Sequence, residues 1–425
     1  MEINITEENR FGSMILPDGK YYSLDDKQTR LNNNVMVVGT TGSAKTRTVI
    51  TPNLLECVGS YVVTDPKGNL YRKWGGYMRR QGYRVLRLSF IHPEWSEYYN
   101  PLWYIHTSQD VQKLSHALVY GTEVGCGSNV DPFWDQATVM FLDSIIGYLC
   151  EVCPKEDRLI TNVLKLVRMA NLDDEYDDNQ NTPTDLMMKE LEKKNPDSWA
   201  LQQYRNFRLG AGKTIKSILI TTTSKLSSFD TRELRRMLRT DDLDLASIGQ
   251  RKTAVFVEVS DSDRSMDALI NLFFTQAMNE LCSYADEKCS NSELPVPVRF
   301  FMDDFATNCR IDNFENMISN IRSRKISAVL VLQSFSQLAA GYGENAHTIA
   351  DDCDTLIYMG GNDPTTAQEI AVRVNKTANT ILHMPLSTSW IIRRGSEPFS
   401  CHNFELDDYL SEKGIVDRSR IQRAV

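Results

Sequence analysis

The stretch Asn34-Val-Met-Val-Val-Gly-Thr-Thr-Gly-Ser-Ala-Lys-Thr-Arg-Thr48 decides how the chain is read. Four apolar, mostly β-branched residues run into Gly39, a short loop of glycine and hydroxyl residues follows, and a helical run opens at Thr46. The order strand, loop, helix N-terminus is what the P-loop pattern G-x-x-x-x-G-K-[ST] demands, because its backbone N–H groups must converge on phosphate oxygens. Gly39, Lys45 and Thr46 fit the pattern, while Ala44 stands where the second glycine belongs. The reading makes Gly39, Thr40, Thr41, Gly42, Ser43, Ala44, Lys45, Thr46 and Arg47 the set that would bind ATP. Lys45 is expected on the β- and γ-phosphates and the Thr46 hydroxyl on Mg²⁺. Alanine at position 44 is harmless if its φ is negative. It costs about 1–2 kcal/mol if the loop is left-handed there.

Outward from this loop, Tyr61-Val-Val-Thr-Asp65 and Arg84-Val-Leu-Arg-Leu88 read as strands with helical segments between them. Residues 47–57 read as a helix that Pro52 bends. The alternation predicts an α/β domain with a mainly parallel sheet. It stops over 109–210, where helical periodicity predominates and 133–152 is apolar around most of its circumference. That segment is expected to be an all-α domain inserted into an α/β domain of residues 1–108 and 211–425. Strand signals return near residues 253–259, 298–302, 326–332 and 355–359, and 389–393 reads as an edge strand.

Three further segments belong with the loop. Val298-Arg-Phe-Phe-Met-Asp-Asp-Phe305 is an apolar strand ending in acids, the form of a Walker B element. Asp303 would hold Mg²⁺ through water and Asp304 would orient the attacking water. Aspartate at 304 is one methylene shorter than the glutamate usual in ATP-driven translocases, a displacement that can cost on the order of a hundredfold in rate. Ile326-Ser-Ala-Val-Leu-Val-Leu-Gln333 ends in Gln333, which a parallel sheet would bring beside Asp303. Arg322 and Arg324 close the preceding helix, either complementing its dipole or offering an arginine finger to a neighbouring subunit.

Bulk composition sets limits. With 41% hydrophobic and 24% charged residues in 425, the chain is of ordinary globular type. A net charge of −9 opposes nucleic acid over the whole molecule, so a nucleic-acid surface must be local. The nine cysteines are scattered, and Cys150 and Cys153 form a lone C-x-x-C that reads as half-buried thiols rather than a zinc site. Residues 1–12 are polar and acidic, unlike a signal peptide, and the best apolar run, 137–150, is interrupted by Asp143 and too short to span a bilayer.

Taken together the segments resemble the VirD4/TraG family of type IV coupling proteins. The resemblance runs in order through Asn32-Asn-Asn-Val35, the P-loop, Pro52-Asn53-Leu54, Ser60-Tyr-Val-Val-Thr-Asp-Pro-Lys-Gly68, Tyr99-Asn-Pro-Leu102 and Asp131-Pro-Phe-Trp134. It continues through Leu294-Pro-Val-Pro-Val-Arg-Phe300, Ile321-Arg-Ser-Arg-Lys-Ile-Ser327, Leu332-Gln-Ser334, Asp352-Cys-Asp-Thr355 and Gly360-Gly361, nearly the whole chain. It implies a RecA-like P-loop ATPase that works as a homo-hexamer, with Mg²⁺-ATP between subunits. The implied partners are single-stranded DNA, a relaxase or effector protein, and the components of a type IV secretion (conjugation) channel. By position in the motifs, Asp304, Gln333 and Arg322 take the catalytic places, Thr46 and Asp303 the metal places, and Asp65 and Lys67 a loop beside the P-loop strand. Ala44, Asp304, Asn69 and Asn308-Cys309 depart from the family pattern. Members also carry N-terminal membrane helices and work at the cytoplasmic face of the membrane. The chain itself is expected to be soluble, either a piece of a longer protein or a variant without such helices.

Two functions follow from these residues: a motor that drives substrate into the channel, or a nucleotide-binding docking module that hydrolyses ATP poorly because of Ala44 and Asp304. Arg232, Arg235, Arg236 and Arg239 fall on one helical stripe, which reads as a solvated face partly paired to Glu233 and Asp241, with a phosphate-tracking surface as the alternative. The acidic stretch 172–184 reads as a solvated loop, with docking of a basic partner as its alternative.

Overall fold

The computed structural model describes residues 12–120, 132–170, 181–307, 310–311 and 313–417. The chain divides into two compact units, one of Met1–Arg87, Leu245–Asp261 and Ala277–Val425, the other of Leu88–Asp244 and Ser262–Gln276. The second contains residues 109–210 and extends beyond them on both sides.

Among the described residues eleven strands are formed: β1 (Ser13–Ile15), β2 (Tyr21–Ser23), β3 (Val35–Val38), β4 (Ser60–Thr64), β5 (Arg84–Ser89), β6 (Thr253–Glu258), β7 (Val298–Met302), β8 (Ile326–Leu332), β9 (Thr355–Tyr358), β10 (Thr388–Arg393) and β11 (Phe399–His402). Nine of them make one sheet in the order β11-β10-β9-β3-β8-β7-β4-β6-β5. β3 pairs in parallel with β8 and β9, β7 with β8 and β4, and β4 with β6. Every residue of β3, β4, β6, β7, β8 and β9 is buried. Such continuous apolar runs are what a parallel sheet covered on both faces requires.

One face of the sheet carries Tyr61, Val63, Phe301, Val329, Val331 and Ile357, packed on Val49, Ile50, Leu54, Trp74 and Met78. Each such fully buried side chain contributes roughly 1.5–3 kcal/mol of transfer free energy. The same face therefore holds the segment that follows the P-loop.

Three expectations change. Residues 47–57 begin with a π-turn, Thr46–Ile50, and only then become α-helical over Thr51–Leu55. Pro52 lacks the N–H that would bond the Thr48 carbonyl and its ring would crowd that carbonyl, so a wider turn relieves both. The strand expected at the sheet edge, β10, is internal, because it pairs antiparallel with β9 on one side and β11 on the other. β11, Phe-Ser-Cys-His, is too short and mixed to show a period of two. The D-P-K-G loop after β4 does not lie beside the P-loop strand, since β8 and β7 stand between β4 and β3.

The β1–β2 hairpin leaves no period of two in the sequence, because each strand has three residues. It turns at Gly19, whose φ is +75°, and is tied down by Asn53, whose Oδ1 accepts from Ile15 N at 2.9 Å and whose Nδ2 donates to Ile15 O at 2.8 Å.

The described part of the second unit is helical apart from the end of β5. Its longest wholly contained helix, Pro132–Val152, buries twelve residues, Asp143 among them, which is why that segment reads as apolar all round. Asp143 Oδ1 has no hydrogen-bond partner among the described residues, and burial pushes its carboxyl up to about 6 against the pull of Ser115. Arg232, Arg235 and Arg236 lie on the helix Arg232–Met237, which ends before Arg239, and Arg235 pairs with Asp230 at 2.7 Å, not with Asp241, whose carboxylate accepts from the Asn100 and Leu243 N–H groups. Arg236 donates to the Pro93 and Ser96 carbonyls. Residues 172–180 of the acidic stretch and Asn308-Cys309 lie outside the described residues. Among the described residues no helix is long and apolar enough to cross a membrane, and no group of acids, histidines and cysteines, Cys150 and Cys153 included, could hold a metal ion by itself.

Candidate nucleotide site

The site stands at the carboxyl ends of β3, β8 and β7. The chain leaves β3 at Gly39, where an added Cβ would meet Ser43 Oγ at 2.6 Å and Met359 Cβ at 3.0 Å, so a larger residue would crowd the loop. Thr40 N donates to the Gly360 carbonyl at 2.9 Å, which fastens the loop to the residues that follow β9. Gly360-Gly361 appears in the sequence only as a glycine pair after a strand, and this bracing role is not legible there. Gly42 has φ +85° and open space around it, so its glycine is required by backbone conformation. Ala44 has φ +62°: of the two cases set out for this position, the left-handed one holds, at a cost of about 1–2 kcal/mol.

Lys45 is buried and donates through Nζ to the loop's own carbonyls, Gly39 O and Thr40 O, the latter at 3.0 Å. Burial lowers its pKa, while Asp304 and Asp303 oppose that pull and favour the charge. Thr46 Oγ1 donates to Asp303 Oδ2 at 2.6 Å. The two residues expected at the metal, 257 positions apart in sequence, thus touch. Burial raises the Asp303 pKa, the Thr46 hydrogen bond lowers it, and the Asp304 charge raises it again. Asp303 is further held from its backbone, whose N–H donates to Thr64 Oγ1 on β4. Thr64 has a positioning role that nothing in its strand-like neighbourhood announces.

Gln333, expected beside Asp303, directly follows β8, the strand between β3 and β7, and its Nε2 donates to the neighbouring Asp304 Oδ1 at 3.3 Å. Asp304 itself adopts φ +51° and Ala306 φ +68°, so this acidic loop is left-handed at two non-glycine residues. Asp tolerates that conformation better than Ala. Gln337 supports Gln333 by accepting its N–H through Oε1 at 3.0 Å.

Two expected members stand apart. Arg47 turns to Asp407, 3.1 Å away on the helix Leu406–Glu412. Arg322 lies before β8, at the opposite end of that strand from Gln333, roughly 20 Å along the chain direction. It bonds the Asp26 carbonyl at 3.1 Å and its Nε stands 3.5 Å from the Asp26 carboxylate. Within one chain it serves no phosphate at the P-loop, whatever it offers a neighbour.

Asp65 and Lys67 build a separate cluster at the ends of β4 and β6. Asp65 accepts from Leu70 N (2.9 Å) and Tyr71 N (2.8 Å) and so caps the helix Asn69–Arg80, while burial raises its pKa to about 6 against those bonds. Glu258 takes both arms of Arg87, at 2.7 and 2.9 Å. Gly68, at φ +67°, packs so closely on the Glu258 carboxylate that a Cβ would overlap it. The D-P-K-G sequence is explained by this packing: a buried cap, a left-handed lysine at φ +68° and a glycine against a carboxylate.

The loop suits a triphosphate and a hard cation. Among the described residues Ser43 Oγ, inside it, is buried without a hydrogen-bond partner and the Lys45 ammonium bonds only carbonyls of the loop itself, while the Thr46–Asp303 pair is an all-oxygen donor set of the kind Mg²⁺ takes.

The family described as type IV secretory system conjugative DNA transfer matches residues 4–384. The protein VirD4 of Rhizobium rhizogenes is 22% identical over 383 residues, which are 88% of this chain and 52% of that protein, so the chain spans about half the length of this relative. The bacterial conjugative coupling protein TrwBdeltaN70, solved with sulphate, superposes with a TM-score of 0.67 at 14% identity, covering 95% of this chain and 93% of that one. The plasmid coupling protein TrwB in complex with ADP and Mg²⁺ gives 0.65 at 14%, covering 92% and 88%. The fold is that of a RecA-like P-loop protein, and the chain belongs to the type IV secretion family of conjugative DNA transfer proteins, as a coupling protein of VirD4/TraG type.

Proposed function

We propose that the chain binds Mg²⁺-ATP on the Gly39–Thr46 loop and, as a homo-hexamer at the cytoplasmic face of a membrane, hydrolyses it to drive a relaxase-bound single DNA strand or an effector protein into a type IV secretion channel. The observation that carries this reading is the convergence of Thr46, Asp303, Asp304 and Gln333, from three parallel strands, over one phosphate-type loop. Mg²⁺ would be held by Thr46 and Asp303 and would neutralise phosphate charge. Lys45, released from the loop carbonyls, would donate to phosphate oxygens. Asp304, steered by Gln333, would orient water. Arg322 would act on the neighbouring subunit's nucleotide, and would have to leave Asp26 to do so.

A second reading has its own observation. Ala44 in the left-handed region puts a methyl group on a loop that must approach phosphate, and Asp304 is short for its place. These favour a nucleotide-binding docking module with weak hydrolysis. ATP turnover with and without single-stranded DNA separates the two, measured in the wild type, Lys45→Ala, and Ala44→Gly combined with Asp304→Glu. DNA-stimulated turnover that Lys45→Ala abolishes establishes the motor. Turnover that appears only in the double variant establishes the docking module.

A further inference from the structure

At the amino ends of β4, β7 and β8, the end of the sheet away from the P-loop, a cavity of about 410 Å³ opens. That is within the range of small-molecule sites, roughly 300–1,000 Å³. Tyr61, Leu24, Val58 and Ile326 line it together with Ser13 and Ser23. Three cations line it, Arg299, Arg322 and Lys325, against two carboxylates, Asp25 and Asp26.

Both carboxylates are engaged. Asp25 accepts from the N–H groups of Lys27 and Gln28. Asp26 takes Lys325 at 2.8 Å and Arg322 at 3.5 Å. Arg299 is left over. Its side chain lies on the second residue of β7, between Tyr61 of β4 and Ser327 of β8, and is 9% exposed. Nε donates to Ser327 Oγ at 3.2 Å, and no carboxylate pairs with the guanidinium among the described residues. Burial pulls its pKa down to about 10. A buried guanidinium with two free N–H arms and no counter-charge is costly to keep in a protein interior unless something anionic meets it. Its planar fork suits the two oxygens of a carboxylate or phosphate.

We propose that this cavity is a second ligand site, distinct from the nucleotide loop, for a small organic molecule that seats a carboxylate or phosphate on Arg299 and its body against Tyr61 and Leu24. Phenyl phosphate and benzoate, titrated separately into the full chain by calorimetry with Mg²⁺-ADP in excess, test it and tell the two head groups apart. Arg299→Met keeps the volume and removes the charge, and Val58→Phe fills the cavity without touching the guanidinium. At least one probe is expected to bind the wild type, with affinity at least tenfold weaker in both variants and a cooperative thermal transition retained in each. The proposal fails if neither probe binds, or if Arg299→Met binds as tightly as the wild type. Should Arg299→Met not fold, Val58→Phe decides, and unchanged binding there overturns the site.

Discussion

Arg299 and Phe301 lie on the same side of β7 and Asp303 follows directly after that strand, and the two charged ends of this row are built by opposite means. At the carboxyl end Asp303 meets a hydroxyl, a lysine is within electrostatic reach, and the surrounding loops bend through left-handed residues at 44, 304 and 306. At the amino end Arg299 meets one hydroxyl and a cavity. Strand direction explains the contrast. Chains leaving the carboxyl ends feed helix N-termini, so backbone N–H groups gather there and anions are bound by main chain. Helices return to the amino ends by their C-termini, which favour cations, and Arg322, Arg324 and Lys325 collect in such a turn. On the proposed function, one end of the sheet would bind anions through loop backbone, while the other gathers side-chain positive charge.

Lys45→Ala gives the largest effect the contrast implies. Charged hydrogen bonds to phosphate contribute roughly 1.5–3 kcal/mol, so Mg²⁺-ATP affinity should fall on the order of a hundredfold, read with a fluorescent nucleotide. Stability should change little, because the ammonium is desolvated and satisfied only by its own loop. Arg299→Met should do the reverse. Denaturant unfolding should show a gain of about 1–3 kcal/mol, as when a buried charge gives way to apolar volume, with nucleotide affinity untouched. A loss of stability instead would mean that the amino end has a hidden counter-charge.

How much of this was legible follows from where the information sits. The strands β3, β4, β7 and β8 announce themselves because a doubly covered parallel strand is an apolar run, and the P-loop because its chemistry is local to eight residues. The meeting of Thr46 with Asp303 was reachable from strand ends alone, whereas Gln333, expected beside Asp303, bonds its neighbour Asp304 instead. What was not legible is set by tertiary neighbours. Arg47 looks like part of the loop until Asp407, 360 residues on, is seen beside it. Thr64 looks like any strand threonine until β7 is placed next to β4. The place of D-P-K-G depends on sheet order, which no periodicity encodes. The left-handed turn at Ala44 is invisible because the sequence shows the missing glycine and not the φ angle.

Asp26→Asn sharpens the comparison through pH. Burial pushes the Asp26 carboxyl up, but Lys325 and Arg322 pull it below the usual aspartate value. A depressed folded-state pKa contributes stability above the unfolded value, near 3.8, and loses it as pH falls through the folded one. Asp26→Asn should therefore cost about 1–2 kcal/mol at pH 7 and nothing measurable once the carboxyl is protonated. Asp65, at the carboxyl end, has the opposite sign. Raised to about 6, it contributes most below its unfolded pKa and loses that contribution as pH rises through 6. Unfolding free energies of wild type and Asp26→Asn from pH 3 to 8 should diverge as pH rises. Parallel curves would remove Asp26 as the holder of the amino-end cations.

Ala44→Gly is the smallest effect and the most pointed. An alanine at φ +62° gives up about 1–2 kcal/mol relative to glycine, whereas the glycine chain recovers roughly 0.4–1 kcal/mol of extra disorder when unfolded. The net is a gain of about 0.5–1 kcal/mol, where the same change in an ordinary helix would lose that much. Denaturant midpoints at constant slope measure it, and Gly42→Ala, at φ +85°, supplies the opposite sign in the same loop. Nucleotide affinity measured on the same protein then separates strain from obstruction. If stability rises and affinity does not, the methyl group is only a conformational load and the N–H of residue 44 already serves phosphate. If affinity rises further than stability, the methyl group itself keeps phosphate away, and the carboxyl end of this sheet has been detuned as an anion site by a single carbon atom.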